Sequence, residues 1–111
     1  MPETYEQIVR ELKSIDIPFA ENGWTTRPNS DIYGVVALDF EDAGDDGDNE
    51  KQDRAWEGSV DLYSKSKRPE CLWDIEEILS DNCECAWEVS SIQWEQETGL
   101  FHWEWTFRVE G

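Results

Sequence analysis

Phe101-His102-Trp103-Glu104-Trp105-Thr106-Phe107-Arg108-Val109 is the stretch whose pattern settles the fold class. Its odd positions are all large and apolar, and its even positions are all polar. That period of two belongs to a strand with one face in a core and one in water. Phe and Trp also favour the pleated, half-buried surface of a sheet. Glu97-Thr98-Gly99 just before it reads as a turn, so a partner strand precedes it. On that incoming strand Trp87 and Val89 are odd, whereas Ile92 and Trp94 are even. A bulge at Ser90 and Ser91 returns all four to one face.

Upstream, Pro69 suits a first helical turn, and Cys71, Leu72, Ile75, Ile78 and Leu79 make an amphipathic stripe ending near Asn82. Residues 54–63 resume the strand pattern, with Trp56, Val60 and Leu62 sharing a face with Gly58. Residues 32–40 are Val- and Ile-rich. Ile32, Val36, Leu38 and Phe40 face one way with Gly34, and Tyr33, Val35 and Ala37 the other. Both faces are apolar, which predicts cover on both sides, by the protein's own helices or by a neighbour. Residues 17–30 read as an extended connector broken by Pro18, Gly23, Pro28 and Asn29. The opening segment is a helix: Tyr5, Ile8, Val9, Leu12 and Ile15 line one face. Thr4 and Gln7 suit a capping box, and Pro18 stops the helix after about Asp16. The expected architecture is a single α+β domain over residues 1–111. It has an antiparallel or mixed sheet of about four strands flanked by two helices, in the order α-β-β-α-β-β.

Between the first two strands, residues 41–53 form an acidic stretch in which Asp42, Asp45, Asp46, Asp48, Glu50 and Asp53 alternate with Gly44 and Gly47. It reads as a solvated, flexible loop. The whole chain carries 27 acidic against 9 basic side chains, a formal net charge of −18 on 111 residues. Such a surface repels phosphate, and binding to a nucleic-acid backbone needs the cations it lacks. No nucleic-acid binding and no association with anionic lipid are expected. Lysine is scarce while carboxylates are spread throughout, the composition of proteins adapted to concentrated salt, where screening relieves the repulsion. A halophilic source is therefore expected. The first residues show neither the basic start nor the apolar run of a secretory leader, and no segment has the length of a membrane span.

Cys71, Cys83 and Cys85 are odd in number, which argues against a disulfide framework and for free thiols. Cys83-x-Cys85 lacks a second ligand pair, so no metal is expected there. Asp42-x-Gly44-x-Asp46-Gly47 partly matches the start of a calcium loop. However, Gly44 stands where an oxygen ligand is required, and Asp53 replaces the bidentate Glu. No cofactor is expected. His102 is the only histidine and sits at the polar phase of its strand, so a surface or cross-strand role is expected and no catalysis. Among the seven tryptophans, Trp87, Trp94, Trp103 and Trp105 are expected mainly in the core, and Trp24 and Trp73 exposed as contact residues.

Taken in order, these elements resemble the small tail-completion or tail-terminator proteins of long-tailed bacteriophages and haloarchaeal tailed viruses. The likeness rests on the opening helix Tyr5-Glu6-Gln7-Ile8-Val9-Arg10-Glu11-Leu12 running into Ile17-Pro18-Phe19. It continues in Trp56-Glu57-Gly58-Ser59-Val60-Asp61-Leu62-Tyr63-Ser64-Lys65 and ends in His102-Trp103-Glu104-Trp105-Thr106-Phe107-Arg108. The resemblance implies a virion structural protein, assembled in the host cytoplasm, that forms a homo-oligomeric ring of six. The ring would cap the tail tube, end its polymerisation, join it to the head–tail connector in the neck and line a DNA conduit. Tail tube protein, connector and further copies of the chain are the implied partners. Subunit contacts would then use Trp24, Trp73, the acidic residues Asp42, Asp45, Asp46, Asp48 and Glu50, and the bases Arg54, Lys65, Lys67 and Arg68. A rival reading of the same charge is an acidic DNA mimic that inhibits a host nuclease or defence protein.

Overall fold

The computed structural model describes residues 3–42, 55–81 and 85–110. Two helices and a five-stranded mixed sheet follow one another as α1 (Glu3–Lys13), β1 (Phe19–Glu21), β2 (Ile32–Asp42), β3 (Ala55–Ser64), α2 (Cys71–Asp81), β4 (Cys85–Glu95) and β5 (Leu100–Glu110). The α+β class is as the sequence reads. Its order is α-β-β-β-α-β-β, one strand more than expected.

The spatial order of the sheet is β1-β2-β3-β5-β4. β1 pairs parallel to β2, and every other pairing is antiparallel. The extra strand corrects the connector assigned to residues 17–30. Three residues between Pro18 and Asn22 carry no strand period of their own and are extended only because β2 binds them. The Gly34 N–H donates to the Pro18 carbonyl at 2.8 Å, and the Asn22 N–H donates to the Val36 carbonyl at 2.8 Å.

Both helices lie on one face. Tyr5, Ile8, Val9 and Leu12 of α1 and Cys71, Leu72, Ile75 and Leu79 of α2 pack against Val36, Val60, Leu62, Trp103, Trp105, Phe107 and Val109 of the sheet. This is the arrangement that the period-two pattern of β5 and the helical stripes dictate. α1 carries Glu3 and Glu6 in its first turn and Arg10 and Lys13 in its last, matching the helix dipole at both ends. It stops at Lys13, a turn earlier than expected, and Thr4 lies inside it, so the expected capping box is not the start signal.

The bulge expected at Ser90 and Ser91 is present: the β4–β5 register shifts between Val89 and Ser91. Trp87, Val89, Ile92 and Trp94 stand opposite Phe107, Trp105, Trp103 and Phe101, so all four share the helix-side face. The turn falls at Glu97, Thr98 and Gly99, with Gly99 at φ 70° and its N–H bonded to the Glu95 carbonyl at 2.9 Å.

Two other expectations are corrected. A register shift between Leu38 and Phe40 pairs Phe40 with Glu57, which breaks the even-numbered phase expected to run through Phe40. β2 extends through Asp42, two residues into the stretch assigned to the acidic loop. The remainder of that loop, with Asp45, Asp46, Asp48, Glu50 and Arg54, lies outside the described residues. Both helices cover the same face of β2, so of the two kinds of cover expected for its second face, the protein's own helices do not supply it among the described residues. Tyr33 is buried there by other means, stacked on Tyr63 with ring centroids 5.0 Å apart.

Gly58 is a packing requirement. An added Cβ would lie 2.5 Å from the Ala37 carbonyl oxygen and 2.6 Å from the Phe107 ring. The ring can shift, but the carbonyl belongs to the β2 ladder and cannot. Gly58→Ala is expected to cost about 1–3 kcal/mol, read as a lowered denaturation midpoint; an unchanged midpoint would contradict this packing.

Candidate functional site

Among the described residues, the large apolar side chains left exposed are Trp73 at 72%, Trp94 at 54%, Ile92 at 45% and Val89 at 40%. Three of them belong to β4, the outermost strand of the sheet. The fourth lies on the flank of α2 that faces it. That flank is defined by two hydrogen bonds: Trp87 Nε1–H donates to Ser80 Oγ at 3.1 Å, and Trp105 Nε1–H donates to Glu76 Oε2 at 2.9 Å. Trp73 precedes Glu76 by three residues and Ser80 by seven, which puts it on the same side of the helix. It therefore extends the flank toward the end of the sheet where Ile92 and Trp94 stand. Val89, Ile92 and Trp94 thus give the outermost strand an exposed apolar row, and Trp73 adds an exposed ring on α2.

Trp94 corrects the expectation that it serves in the core. Its face is the core face, but the helices cover β5 more fully than the edge strand beyond it. Trp87 is half-buried at the rim of the core, whereas Trp103 and Trp105 are buried as expected. Trp24 is half-buried, not a free contact residue: its Nε1–H donates to the Gly34 carbonyl at 3.1 Å and ties the connector to β2.

The basic turn is exposed. Lys65, Lys67 and Arg68 all face solvent, and Lys65 Nζ lies 3.5 Å from Asp31 Oδ1. The turn is anchored from below, where Trp103 Nε1–H donates to the Lys67 carbonyl at 2.8 Å. β2 and β3 run antiparallel, with Ile32 opposite Ser64 at one end and Asp42 opposite Ala55 at the other. The basic turn leaves the first of these ends. The structure thus brings Lys65, Lys67, Arg68 and Trp73 to one end of the sheet. Asp42 closes β2 at the far end.

On the face without helices, Tyr33, Tyr63, His102 and Gln93 form one cross-strand row. His102 stacks on Tyr63 with ring centroids 4.3 Å apart. Its Nε2 lies 2.7 Å from Asp61 Oδ1 and its Nδ1 lies 3.0 Å from Glu95 Oε2. Both nitrogens can serve both carboxylates only as the doubly protonated imidazolium. The hydrogen bond to Asp61 is the largest influence raising its pKa above the ordinary histidine value, with Glu95 adding to it and burial opposing it. Burial, with Asp61 and Glu95 nearby, pushes the Tyr63 phenol up to about 12. The sequence showed His102 as a cross-strand candidate but not its partners. The available signal was that Asp61 and Tyr63 occupy the same polar phase of β3 that His102 occupies on β5.

A histidine clamped at both nitrogens has no free base to offer a substrate. Burial pushes the thiols of Cys71 and Cys85 up to about 11, so neither is a ready thiolate nucleophile at neutral pH. No group of three His, Cys, Asp or Glu side chains among the described residues is arranged to hold a metal ion. A shallow groove of about 240 Å³ is lined by Glu57, Trp87, Glu88, Thr106, Phe107 and Arg108, among others. Its guanidinium lies 3.9 Å from Glu57, an ion pair at the groove wall. No helix among the described residues is long and apolar enough to cross a membrane. No protein-family model matches the chain, and no curated protein matches its sequence.

Proposed function

We propose that this protein is a non-enzymatic virion structural subunit of the tail-completion kind. Copies form a closed ring, of six subunits as the resemblance implies, that caps the tail tube and meets the connector in the neck. The observation that carries this reading is an exposed basic turn, Lys65, Lys67 and Arg68, at the end of the sheet where Ile32 meets Ser64, on a chain whose charge is otherwise strongly negative. A localised basic patch that meets the acidic surface of the next copy makes a head-to-tail contact, and head-to-tail contacts close into rings when the rotation per subunit permits. The net charge of −18 suits the lumen of such a ring, because a like-charged wall lets DNA slide without adhering.

Negative-stain imaging with light scattering, in dilute buffer and in molar salt, tests the reading. Closed rings are expected, most abundant in high salt where repulsion between copies is screened. A persistent monomer that occupies a basic nuclease instead would overturn the ring in favour of the DNA mimic. Retention of duplex DNA at physiological salt would remove the conduit.

A further inference from the structure

The edge strand β4 contains a near-palindrome. Residues 87–94 read Trp-Glu-Val-Ser-Ser-Ile-Gln-Trp, and read backwards they give Trp-Gln-Ile-Ser-Ser-Val-Glu-Trp. Each mismatch is close in shape: Glu against Gln, and Val against Ile. We propose that β4 is a docking surface for a second copy of this chain, paired antiparallel with its own counterpart about a two-fold axis between Ser90 and Ser91. Trp87 then faces Trp94 of the other copy, Glu88 faces Gln93, Val89 faces Ile92, and Ser90 faces Ser91.

Three observations carry this beyond symmetry of letters. First, the bulge makes the pairing possible. Trp87 and Val89 share a face with Ile92 and Trp94 only because the register shifts between Val89 and Ser91. In an antiparallel pair, opposed residues point to the same side of the sheet. A two-fold axis between Ser90 and Ser91 therefore joins apolar to apolar on the helix side and polar to polar on the other. An axis centred on one residue would mix them.

Second, apart from its bulge the edge carries little protection. An exposed strand is commonly kept short, bulged, or guarded by Lys or Pro. β4 is 11 residues long, has neither, and carries only Glu88 and Glu95 as charges. Glu95 is engaged with His102. Glu88 meets the uncharged Gln93, so the pairing brings no like charges face to face. The bulge residue itself is held in place, since Ser90 Oγ and Thr106 Oγ1 share a hydrogen bond of 2.8 Å.

Third, the apolar side chains that the pairing would bring together are exposed: Val89 at 40%, Ile92 at 45% and Trp94 at 54% stand on the outermost strand, and pairing across the axis takes them from water.

This inference does not depend on the ring reading. Sedimentation in molar salt tests it, with hydrogen exchange of the β4 amides measured at low and high protein concentration. A monomer–dimer equilibrium is expected, with β4 amides exchanging more slowly as the dimer fills. Gln93→Glu, at an exposed position, sets two like-charged pairs against each other across the axis and should weaken the dimer roughly tenfold. Adding Glu88→Lys to it turns both pairs into attractions and should restore the dimer, with circular dichroism checking that every variant folds. A monomer under all conditions would overturn the proposal, as would a dimer indifferent to Gln93→Glu or one whose β4 amides stay unprotected. A dimer that never forms closed rings removes the ring and leaves this pairing intact; rings unaffected by either substitution do the reverse.

Discussion

Trp105→Ala is expected to leave the chain largely without cooperative tertiary structure in dilute buffer. Trp105 is fully buried between the helices and the centre of the sheet, opposite Val60 on β3 and Val89 on β4. Its ring stacks on Trp103 at 5.6 Å, and its indole N–H is bonded to Glu76. Truncating a core Trp to Ala costs about 3–5 kcal/mol, from lost transfer energy and the cavity left behind. A domain of this size has about 5–15 kcal/mol in total, and repulsion among the carboxylates lowers that margin in low salt. Near-ultraviolet circular dichroism and urea denaturation should show the loss, partly recovered in molar salt. Trp105→Phe keeps most of the volume, loses the hydrogen bond and leaves a small void, so it should cost about 1–3 kcal/mol, less than the Ala variant. An Ala variant with a wild-type midpoint would mean that Trp105 is not the centre of the core.

The second large effect is one of pH. The folded-state pKa of His102 is raised, so its clamp contributes fully below the unfolded value near 6.5. That contribution is lost as pH rises through the higher folded value, because the unfolded chain gives up the proton first. The groups facing the imidazole are Asp61 and Tyr63 from β3, Glu95 from β4, and Glu104 beside it on β5. Tyr63 stays neutral throughout this range, since its pKa is about 12. It offers the imidazolium an aromatic face as well as neutrality.

At pH 6, His102→Gln is expected to destabilise the protein by about 1.5–3 kcal/mol, the scale of hydrogen bonds to charged groups. The difference from wild type should shrink as pH rises above the folded pKa. Comparing the two proteins at each pH cancels the general carboxylate repulsion they share. A difference that stays constant between pH 5 and pH 9 would show that His102 is not held as the cation.

Much of the fold was legible because β5 and the helices bury one face along their whole length, which writes a clear period into the sequence. The bulge was legible for the same reason: Trp87 and Val89 could share a face with Ile92 and Trp94 only through one extra residue. β1 was not, since three residues show no period and owe their conformation to the β2 backbone. The exposure of Trp94 was hidden too. A strand at the edge and one at the centre alternate alike, and only the order β3-β5-β4 makes β4 the outer one. Of the candidate contact residues, Lys65, Lys67 and Arg68 were readable as exposed because they cluster in a polar turn, and Trp73 because it lies off the apolar stripe of its helix. The partners of His102 were not, since Asp61 is 41 residues away and only the strand register brings it near.

The two borders of the sheet differ in a way that sets a limit. The β1 border is three residues long, and the chain turns away from it at once through Asn22 and Gly23, both at positive φ. A pair joined along β4 would have β1 as its outer strand at both extremities. The two-fold axis uses the same β4 edge of both molecules, so no β4 edge is left to recruit a third. Association by this route saturates at two, so an aromatic-rich margin that elsewhere would invite fibre growth is consumed in a single finite event.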